Sequence, residues 1–382
     1  MKLKNLLYLA QLEEYDVTRI NKWLKDNPGR TVIENKKQLV WTPKAKLIFF
    51  LSHLLPLTLV IQLLRPFDFI FKYFLVFLAL IKLKLFHSKL TTIVITGSWG
   101  KTTTKDMLFE ITKTKYKTTK TQENFNTLIG ISQAILKLPS KTEVFICEAG
   151  AYQPGDIRQI CWLVKPTIGV ITAIGPMHLE RFGTLQNILR TKMELAQSLP
   201  ANGLLLLPQT LEPQIQHFPL KVKNISYFTQ PQQIYQTITK HFNISNLPLD
   251  ISSPHRLQIT QSGPITIIDD SYNSNPEGFK IALEKLKSIK SDQKILVTPG
   301  MIELGSMQFS ENARLAKLAG NICNHIIIVG QTNQEALLSG LKNSSAQIHT
   351  IKNLSETDRL LPSLYQGTAT VLFENDLGDQ YL

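Results

Sequence analysis

The sequence contains few cysteines and few charged residues, and each shortage narrows the classes of protein that it can encode. Three of its 382 residues are cysteine, Cys147, Cys161 and Cys323, and no two of them have the spacing of metal ligands. This pattern excludes a disulfide framework and indicates a reducing compartment, where the three thiols are small buried side chains. The chain also lacks the basic and aromatic motif of a nucleic-acid module, so we expect no nucleic-acid partner.

The charged residues that are present are unequal in sign. They form 19% of the chain, below the roughly 25% of average soluble proteins, and give a formal net charge of +13. Excess positive charge favours an anionic partner, for which we expect a nucleotide or an anionic lipid. A chain of 382 residues is long enough for two or three domains.

Residues 47 to 86 are unusually apolar, and an amphipathic segment precedes them. Residues 5 to 25 predict one amphipathic helix, which either packs against the protein or binds a membrane surface or a docking partner. Residues 47 to 64 carry no charge, and a second apolar run, 67 to 81, follows Arg65-Pro66. Lysines outside both runs predict a transmembrane hairpin with both ends in the cytoplasm. A single span, a re-entrant pair, an interfacial pair and a buried core hairpin are the alternatives.

From residue 91 onward, short runs of Val, Ile and Leu alternate with helical patterns. Near-continuous apolar strands with helices between them predict a largely parallel sheet that is covered on both faces. A stretch rich in Pro, Gln and Asn, residues 209 to 254, predicts a domain boundary near residue 252. The predicted strands are Thr92–Thr96, Val144–Cys147, Ile168–Ala173, Leu204–Leu207, Ile265–Ile268, Lys294–Thr298, His325–Val329 and Thr370–Phe373.

A phosphate-binding loop follows the first of these strands. Its sequence is Gly97-Ser98-Trp99-Gly100-Lys101-Thr102, and a helical pattern comes directly after it. The glycines allow backbone N–H groups to face phosphate oxygens, Lys101 supplies a cation to the β- and γ-phosphates, and the Thr102 hydroxyl can hold Mg²⁺. The loop is shorter than the full Walker pattern, because Ile95 stands where that pattern has its first glycine.

Three further side chains are candidates for the same site. Glu148 ends an apolar strand, and its carboxylate together with the Thr102 hydroxyl suits Mg²⁺, although a lone strand-end glutamate is more often a solvated charge. His178 lies in a loop after a predicted strand, and Lys192 lies in or near the start of a helix. Taken alone, a histidine in a loop is usually a surface residue, and the alternative for Lys192 is a place on the solvated face of its helix.

In order and spacing these segments resemble the motifs of the Mur ligases of peptidoglycan synthesis, most nearly the MurF type. The resemblance covers about residues 90 to 376. The matching segments are Gly97–Thr102 with Lys105-Asp106-Met107, Asn124-Phe125-Asn126 with Gly130, Glu148-Ala149-Gly150, Gly155-Asp156-Ile157, His178–Thr184, Lys192-Met193-Glu194, Asp269–Pro276 and Gly300–Gly305.

The resemblance implies an α/β fold with a phosphate-loop, parallel-sheet ATPase domain at 88–252 and a smaller Rossmann-like α/β domain at 253–382. An N-terminal helix with its connector, 1–45, and the membrane-associated hairpin, 46–87, would precede them. It implies an ATP-dependent ligase that joins a carboxylate to an amine through an acyl phosphate on a peptidoglycan precursor or similar envelope substrate. Together with the hairpin, it implies a location at the bacterial inner membrane with the catalytic domains in the cytoplasm.

The resemblance also implies the residues of the site. It assigns catalysis to Lys101, Glu148, His178 and Lys192. It assigns Mg²⁺ to Thr102, Glu148, His178 and Lys192, the last being typically carbamylated in the family and then an anion that bridges Mg²⁺. The residues assigned to ATP are Gly97, Ser98, Trp99, Gly100, Lys101, Thr102, Thr103, Asn273, Asn275 and Arg256. Helix capping by the asparagines and a structural salt bridge of Arg256 are the alternatives at those positions.

The sequence departs from the family at the end of the site that would bind the second substrate. No UDP-binding domain precedes the phosphate loop, and Phe373-Glu374-Asn375-Asp376 stands where MurF-like chains have a basic Lys-Gly-Ser-Arg. An acidic pair in that place should alter recognition of a carboxylate-bearing substrate. Two alternatives to the ligase therefore stay open: an ATP-binding membrane scaffold without ligase activity, and a poly-glutamate-type amide ligase.

Overall fold

The computed structural model describes residues 2–32, 38–122, 125–245, 257–272 and 274–381. The expected domain boundary near residue 252 and the expected site residues Arg256 and Asn273 lie outside these ranges. The described residues form a group of helices followed by two sheets, each covered by helices.

The N-terminal stretch expected as one helix forms two, α1 (Leu3–Leu12) and α2 (Val17–Asp26). Tyr15, between them, has a positive φ of 59°, and the Asp16 carboxylate begins α2 by accepting from the Thr18 N–H at 2.8 Å. The prediction of a single helix was wrong because the apolar periodicity continues across a break that this capping aspartate creates. The buried side chains of α1 and α2 are Leu7, Tyr8, Leu9, Ala10, Val17 and Ile20.

The apolar stretch 46–87 does not form the expected hairpin. It folds into α3 (Pro43–Leu51) and α4 (Leu57–Phe86), a 30-residue helix that continues through Pro66, where the hairpin turn was expected. Among the described residues, no helix combines the length and the apolar character that crossing a membrane requires. The charged residues Arg65, Asp68 and Lys72 lie within the otherwise apolar sequence of α4.

The predictions that depended on the hairpin were therefore also wrong. The transmembrane segment, the lipid partner bound through it and the bacterial inner-membrane location are corrected by the course of α4 and by the finding that no described helix could span a membrane. One face of α4 packs inside the protein instead. Val76 and Ala79 are buried in the same core cluster as Val94 and Phe145 of the first sheet.

The first sheet has six parallel strands in the order β2-β3-β1-β4-β5-β6. Val94 packs in a cluster on one face of the sheet, while Ile93 and Ile95 pack in another cluster, as a strand covered on both sides requires. The strands are β1 (Thr91–Thr96), β2 (Thr118–Lys120), β3 (Val144–Glu148), β4 (Ile168–Ile171), β5 (Leu204–Pro208) and β6 (Asn224–Phe228). The helices are α5 (Lys101–Thr112), α6 (Leu128–Lys137), α7 (Asp156–Val164), α8 (Leu179–Phe182), α9 (Leu185–Ser198), α10 (Glu212–Ile215) and α11 (Pro231–Phe242).

The second sheet has six strands in the order β11-β10-β9-β12-β8-β7, and only the pairing of β7 with β8 is antiparallel. These strands are β7 (Gln258–Ser262), β8 (Ile265–Asp270), β9 (Gln293–Thr298), β10 (His325–Val329), β11 (Gln347–Ile351) and β12 (Ala369–Glu374). The helices are α12 (Pro276–Ser288), α13 (Gln308–Gly320), α14 (Gln334–Leu341) and α15 (Thr357–Leu360). The expected α/β architecture, with a parallel sheet followed by a second α/β unit, is confirmed.

Candidate active site

The predicted phosphate loop joins β1 to α5 at the middle of the first sheet and lies against the end of β4. Gly97 has a φ of 151°, and a Cβ added to it would lie 2.1 Å from Thr172 Oγ1. Ser98 Oγ donates to the Gly175 carbonyl and accepts from the Gly175 N–H, both at 3.0 Å. The Trp99 ring covers the same glycine, because a Cβ on Gly175 would lie 2.3 Å from it. The conformation of the loop therefore requires glycine at positions 97 and 175.

The helix that follows the loop carries two lysines on one face. Lys101 Nζ donates to the carbonyls of Gly97 and Ser98 at 2.9 and 3.2 Å, so its ammonium turns back over the loop. Lys105 is one turn further, and its buried Nζ lies 3.0 Å from Glu148 Oε2. Sequence reasoning missed Lys105 as a site residue, although its i+4 spacing from Lys101 was a signal that both share a face.

Glu148 and Thr102 are adjacent, as predicted. Thr102 Oγ1 donates to Glu148 Oε2 at 3.0 Å, and the Glu148 N–H donates to Thr121 Oγ1 at 3.1 Å. Parallel strands end at the same edge of a sheet, which is why the ends of β1 and β3 bring the two oxygens together. Glu148 is therefore fixed from its backbone and held at its carboxylate by a hydroxyl and an ammonium.

Lys192 lies on α9 and is buried beside these groups. Burial and, after it, the nearby charge of Lys101 lower the pKa of Lys192 to about 7, against the opposing effect of the carboxylates of Asp156, Glu194 and Glu148. Near neutral pH, a large fraction of this amine is therefore unprotonated and nucleophilic. Glu194, of the same motif, has a structural contact: its carboxylate accepts from the Gly155 N–H at 2.7 Å.

His178 connects the first sheet to the second α/β unit. It has a left-handed φ of 54° at the start of α8, and its Nδ1 contacts Glu303 Oε2 in the loop after β9. Burial alone would raise the pKa of Glu303, but the hydrogen bond and charge of His178, with the charges of Arg181 and Arg19, hold that pKa at about 2. Glu303 is thus an anion at every physiological pH. In the sequence analysis, Glu303 belonged to the motif Gly300–Gly305 but was assigned no role.

Most of the predicted site residues line one pocket. Thr102 adjoins this pocket through Glu148, and Gly100 and Thr103 belong to the same loop and helix. Asn275 reaches the pocket from the second unit, where its side chain also accepts from the Gly278 N–H at 3.0 Å and caps α12. The predicted residues that line the pocket are Gly97, Ser98, Trp99, Lys101, Glu148, His178, Lys192 and Asn275.

The oxygens at this pocket fit Mg²⁺ rather than a softer metal. Within the described ranges no group of three or more His, Cys, Asp or Glu side chains could hold a metal ion. A cation beside Glu148 and Thr102 would therefore take much of its coordination from phosphate and water oxygens. Mg²⁺ is commonly bound in this way, through one or two carboxylates together with the phosphates of its substrate.

The acidic pair near the C-terminus divides between the interior and the surface. Glu374 is fully buried and contacts Ser274 Oγ. Burial, then the neighbouring Asp270, raises the pKa of Glu374 well above its usual range, so it presents no charge to a substrate. Asp376 lines a larger cleft beside the pocket. Only one of the two acidic residues is thus placed to affect recognition.

Comparison with known families agrees with this geometry. The model of the Mur ligase middle domain matches residues 95–248, and the model of the Mur ligase, glutamate ligase domain matches residues 255–373. The chain contains the middle and C-terminal domains of a Mur ligase. The resemblance seen in the motifs is thereby confirmed at the level of the family, while residues 1–94 precede both matches.

Among individual relatives, the UDP-N-acetylmuramoyl-tripeptide–D-alanyl-D-alanine ligase of Bacillus subtilis is 29% identical over 261 residues, which are 56% of this chain and 57% of that one. The enzyme of the same name from Buchnera aphidicola is 29% identical over 323 residues, 69% of each chain. The MurF ligase of Thermotoga maritima in complex with ADP has a TM-score of 0.70 at 23% identity, covering 80% of each chain, and shows the common fold.

Substitution at Gly97 tests the crowding of the phosphate loop. Gly97→Ala is expected to weaken binding of MgADP about 10-fold or more, because the added Cβ meets Thr172 Oγ1 and the backbone is held at a φ of 151°. Gly263→Ala is a matched control: its φ is 59°, but no atom lies within 4 Å of the added Cβ. Titration calorimetry measures both, and equal affinities for the two variants would contradict the prediction.

Proposed function

We propose that this protein is an ATP-dependent ligase that joins a carboxylate to an amine on a peptidoglycan precursor. The observation that carries the proposal is the meeting of Lys101, Glu148, His178 and Lys192 at one pocket under a phosphate loop, in a chain with two Mur ligase domains. The names of the relatives suggest a muramoyl tripeptide as the acid and D-alanyl-D-alanine as the amine. Because the chain spans about 57% of the length of the first of them, both substrates are part of the proposal.

The phosphate loop would bind the triphosphate of ATP through the backbone N–H groups of Trp99 to Thr103, since the Ser98 N–H already donates to the Ala173 carbonyl at 2.8 Å. Lys101 would exchange its two carbonyl contacts for β- and γ-phosphate oxygens, which are stronger partners for an ammonium. Asn275 faces the pocket from the second unit and would contact the nucleotide there. Thr102 and Glu148 would hold Mg²⁺, which neutralises phosphate charge in such sites.

The reaction would proceed in two transfers. A carboxylate oxygen of the acid forms a bond to the γ-phosphorus while the bond to the β-phosphate oxygen breaks, giving an acyl phosphate and ADP. The nitrogen of the neutral amine then attacks the acyl carbon, phosphate leaves with the C–O electron pair, and the nitrogen loses a proton to form the amide. The protein contributes position and charge, chiefly through Lys101 and the residues around Glu148.

Lys192 would act as a carbamate. Its neutral amine can add to carbon dioxide, with loss of one proton, and the product is an anion in place of a cation. That change of sign would turn a lysine beside Lys101 into a partner for Lys101 and for Mg²⁺. His178 is placed by its contact with Glu303 and would contribute to the metal site only through its other ring nitrogen.

The acceptor screen is the direct test. Purified protein is supplied with ATP, Mg²⁺, UDP-N-acetylmuramoyl tripeptide and D-alanyl-D-alanine, and then with other acid and amine pairs. We expect phosphate release that depends on both substrates, and a product whose mass equals that of the two substrates less one water. Phosphate release that no pair stimulates would favour the ATP-binding scaffold instead.

A further inference from the structure

A larger cleft of about 530 Å³ adjoins the phosphate-loop pocket and shares Tyr152, Met177 and His178 with it. Helices α1 and α2 form one wall. The loop that carries His178, the loop after β9 with Glu303, and the segment after β12 form the others. Helices α1 and α2 both lie before residue 95, where the first family match begins. The cleft therefore combines Mur ligase domains with a segment outside both matches.

The N-terminal helices are fixed in this position by contacts with both domains. Tyr8 donates from its hydroxyl to the Asp379 carboxylate, and the Trp23 Nε1–H donates to the Gln380 carbonyl at 2.8 Å. Lys22 forms an ion pair with Glu180, next to the loop of His178. Because these three contacts fix α1 and α2, their side chains have defined positions in the cleft.

Two arginines in this cleft carry N–H groups that the protein does not satisfy. Arg19 of α2 places Nε 2.6 Å from Glu13 and Nη2 3.7 Å from Glu303. Arg181 lies 4.1 Å above the Tyr152 ring, with Nη2 3.6 Å from the same Glu303 oxygen. In the described part of the chain, Arg19 Nη1 and Arg181 Nε are buried and have no hydrogen-bond partner.

A buried guanidinium N–H without a partner is unfavourable, and a carboxylate is the partner that fits its geometry best. A carboxylate bound here would not be the one activated by ATP, because that group must lie at the γ-phosphate in the neighbouring pocket. A substrate with an amine at one end and a carboxylate at the other meets both conditions. Glu14 and Glu303 also line the cleft and are partners of these arginines, Glu14 through Arg181 Nη1 at 3.4 Å.

We propose that this cleft binds the amine substrate as a zwitterionic amino acid or short peptide, and that Arg19 and Arg181 bind its carboxylate. The inference rests on the ligase activity proposed above and assigns the end of the substrate that does not react. Arg19 is then a specificity-determining residue supplied by the N-terminal helices. It recognises the charge of the amine substrate without touching the nucleotide.

The test compares D-alanyl-D-alanine with its C-terminal amide, which differ only in the charge of that end. Binding is measured by calorimetry in the presence of Mg²⁺ and a non-hydrolysable ATP analogue, and KM by phosphate release. Wild-type protein is expected to bind the acid about 10-fold or more tightly than the amide, as a charged hydrogen bond implies. Arg19→Gln should abolish that preference and leave the KM for ATP unchanged.

Two further variants separate recognition from folding. Lys25→Gln removes the same charge from an exposed position of the same helix and should keep the preference. Glu13→Gln with Arg19→Gln removes both partners of the buried pair, so no buried charge is left uncompensated, and it should lose the preference while melting near the wild-type temperature.

The inference and the ligase proposal fail in different ways. A wild-type protein that binds neither probe, or binds both equally, overturns the inference, as does an Arg19→Gln protein that keeps the preference. Binding with a preference that depends on Arg19 supports it even when phosphate release is absent. The absence of release with every acid and amine pair overturns the ligase proposal alone.

Discussion

Replacing Lys105 with methionine is expected to lower the free energy of unfolding by about 3–5 kcal/mol. The ammonium and the Glu148 carboxylate are 3.0 Å apart, and their side chains are 1% and 4% exposed. Methionine fills a similar volume, so the loss comes mainly from leaving a carboxylate buried without its counter-charge. Urea unfolding followed by circular dichroism measures the change.

Lys113 supplies the control for this substitution. It lies at the end of the same helix and pairs with Glu110 at the surface, where the two side chains are 46% and 39% exposed. Lys113→Met should cost less than about 1 kcal/mol, because solvent screens an exposed pair. Adding Glu148→Gln to Lys105→Met should recover much of the loss. Equal costs for the two lysines would show that the buried pair is not a stabilising contact.

Exchanging Lys192 for alanine is expected to lower the turnover of the ligase about 100-fold while leaving most of the nucleotide affinity, since the phosphate loop is untouched. An ATP-binding scaffold would keep its function in this variant. Lys141→Ala, at an exposed position, is the control and should retain wild-type turnover. Turnover and MgADP affinity measured on the same preparations decide between the two.

The carbamate itself has a predicted pH dependence. The pKa of Lys192 is about 7, so below pH 7 the amine is protonated and cannot attack carbon dioxide, whereas above pH 7 it is free to do so. Carbamate should therefore increase between pH 6 and 8 in protein equilibrated with ¹³C-bicarbonate. The carbamate carbon is observed by NMR, and its persistence in Lys192→Ala would assign it to another amine.

The sequence predicted the interior of both sheets but not their edges. Every strand expected from an apolar run is present, whereas β2, β6, β7 and β11 were missed, and these are the edge strands of the two sheets. The residues of β7 are almost all exposed, because an edge strand has a neighbour on one side only. Such strands have no apolar run, and their position is decided by pairing with a distant strand.

The site was predictable where it depends on strand ends. Glu148 ends β3, and Thr102 lies at the start of the helix that follows the neighbouring strand β1, so the order of the elements places them together. Glu303 was harder to foresee, because it contacts His178 across the two α/β units and from a residue 125 positions away. The position of Arg19 depends on the fold of a segment that precedes both Mur ligase domains. Contacts between units carry no local periodicity in the sequence.

The long apolar run before the phosphate loop misled the sequence analysis for a related reason. Its composition is that of a membrane segment, but α4 buries Val76 and Ala79 against the protein and places Phe67, Phe74 and Phe77 at its surface. Composition reports how apolar a segment is and not which face of it is covered. The turn, moreover, was assigned to Arg65-Pro66, and the helix passes through that point.

Helix α4 also couples the N-terminal helices mechanically to the nucleotide-binding half of the molecule. Val60 and Ile61 are buried among the N-terminal helices, and Val76 and Ala79 are buried in the core that covers one face of the first sheet. This helix of about 45 Å is therefore anchored at both ends. The second α/β unit meets α1 and α2 through individual side chains such as Tyr8 and Trp23. If that unit swings outward, the contacts of the N-terminal helices with Asp379, Gln380 and Glu303 are lost, and Arg19 stays with the half that holds the nucleotide.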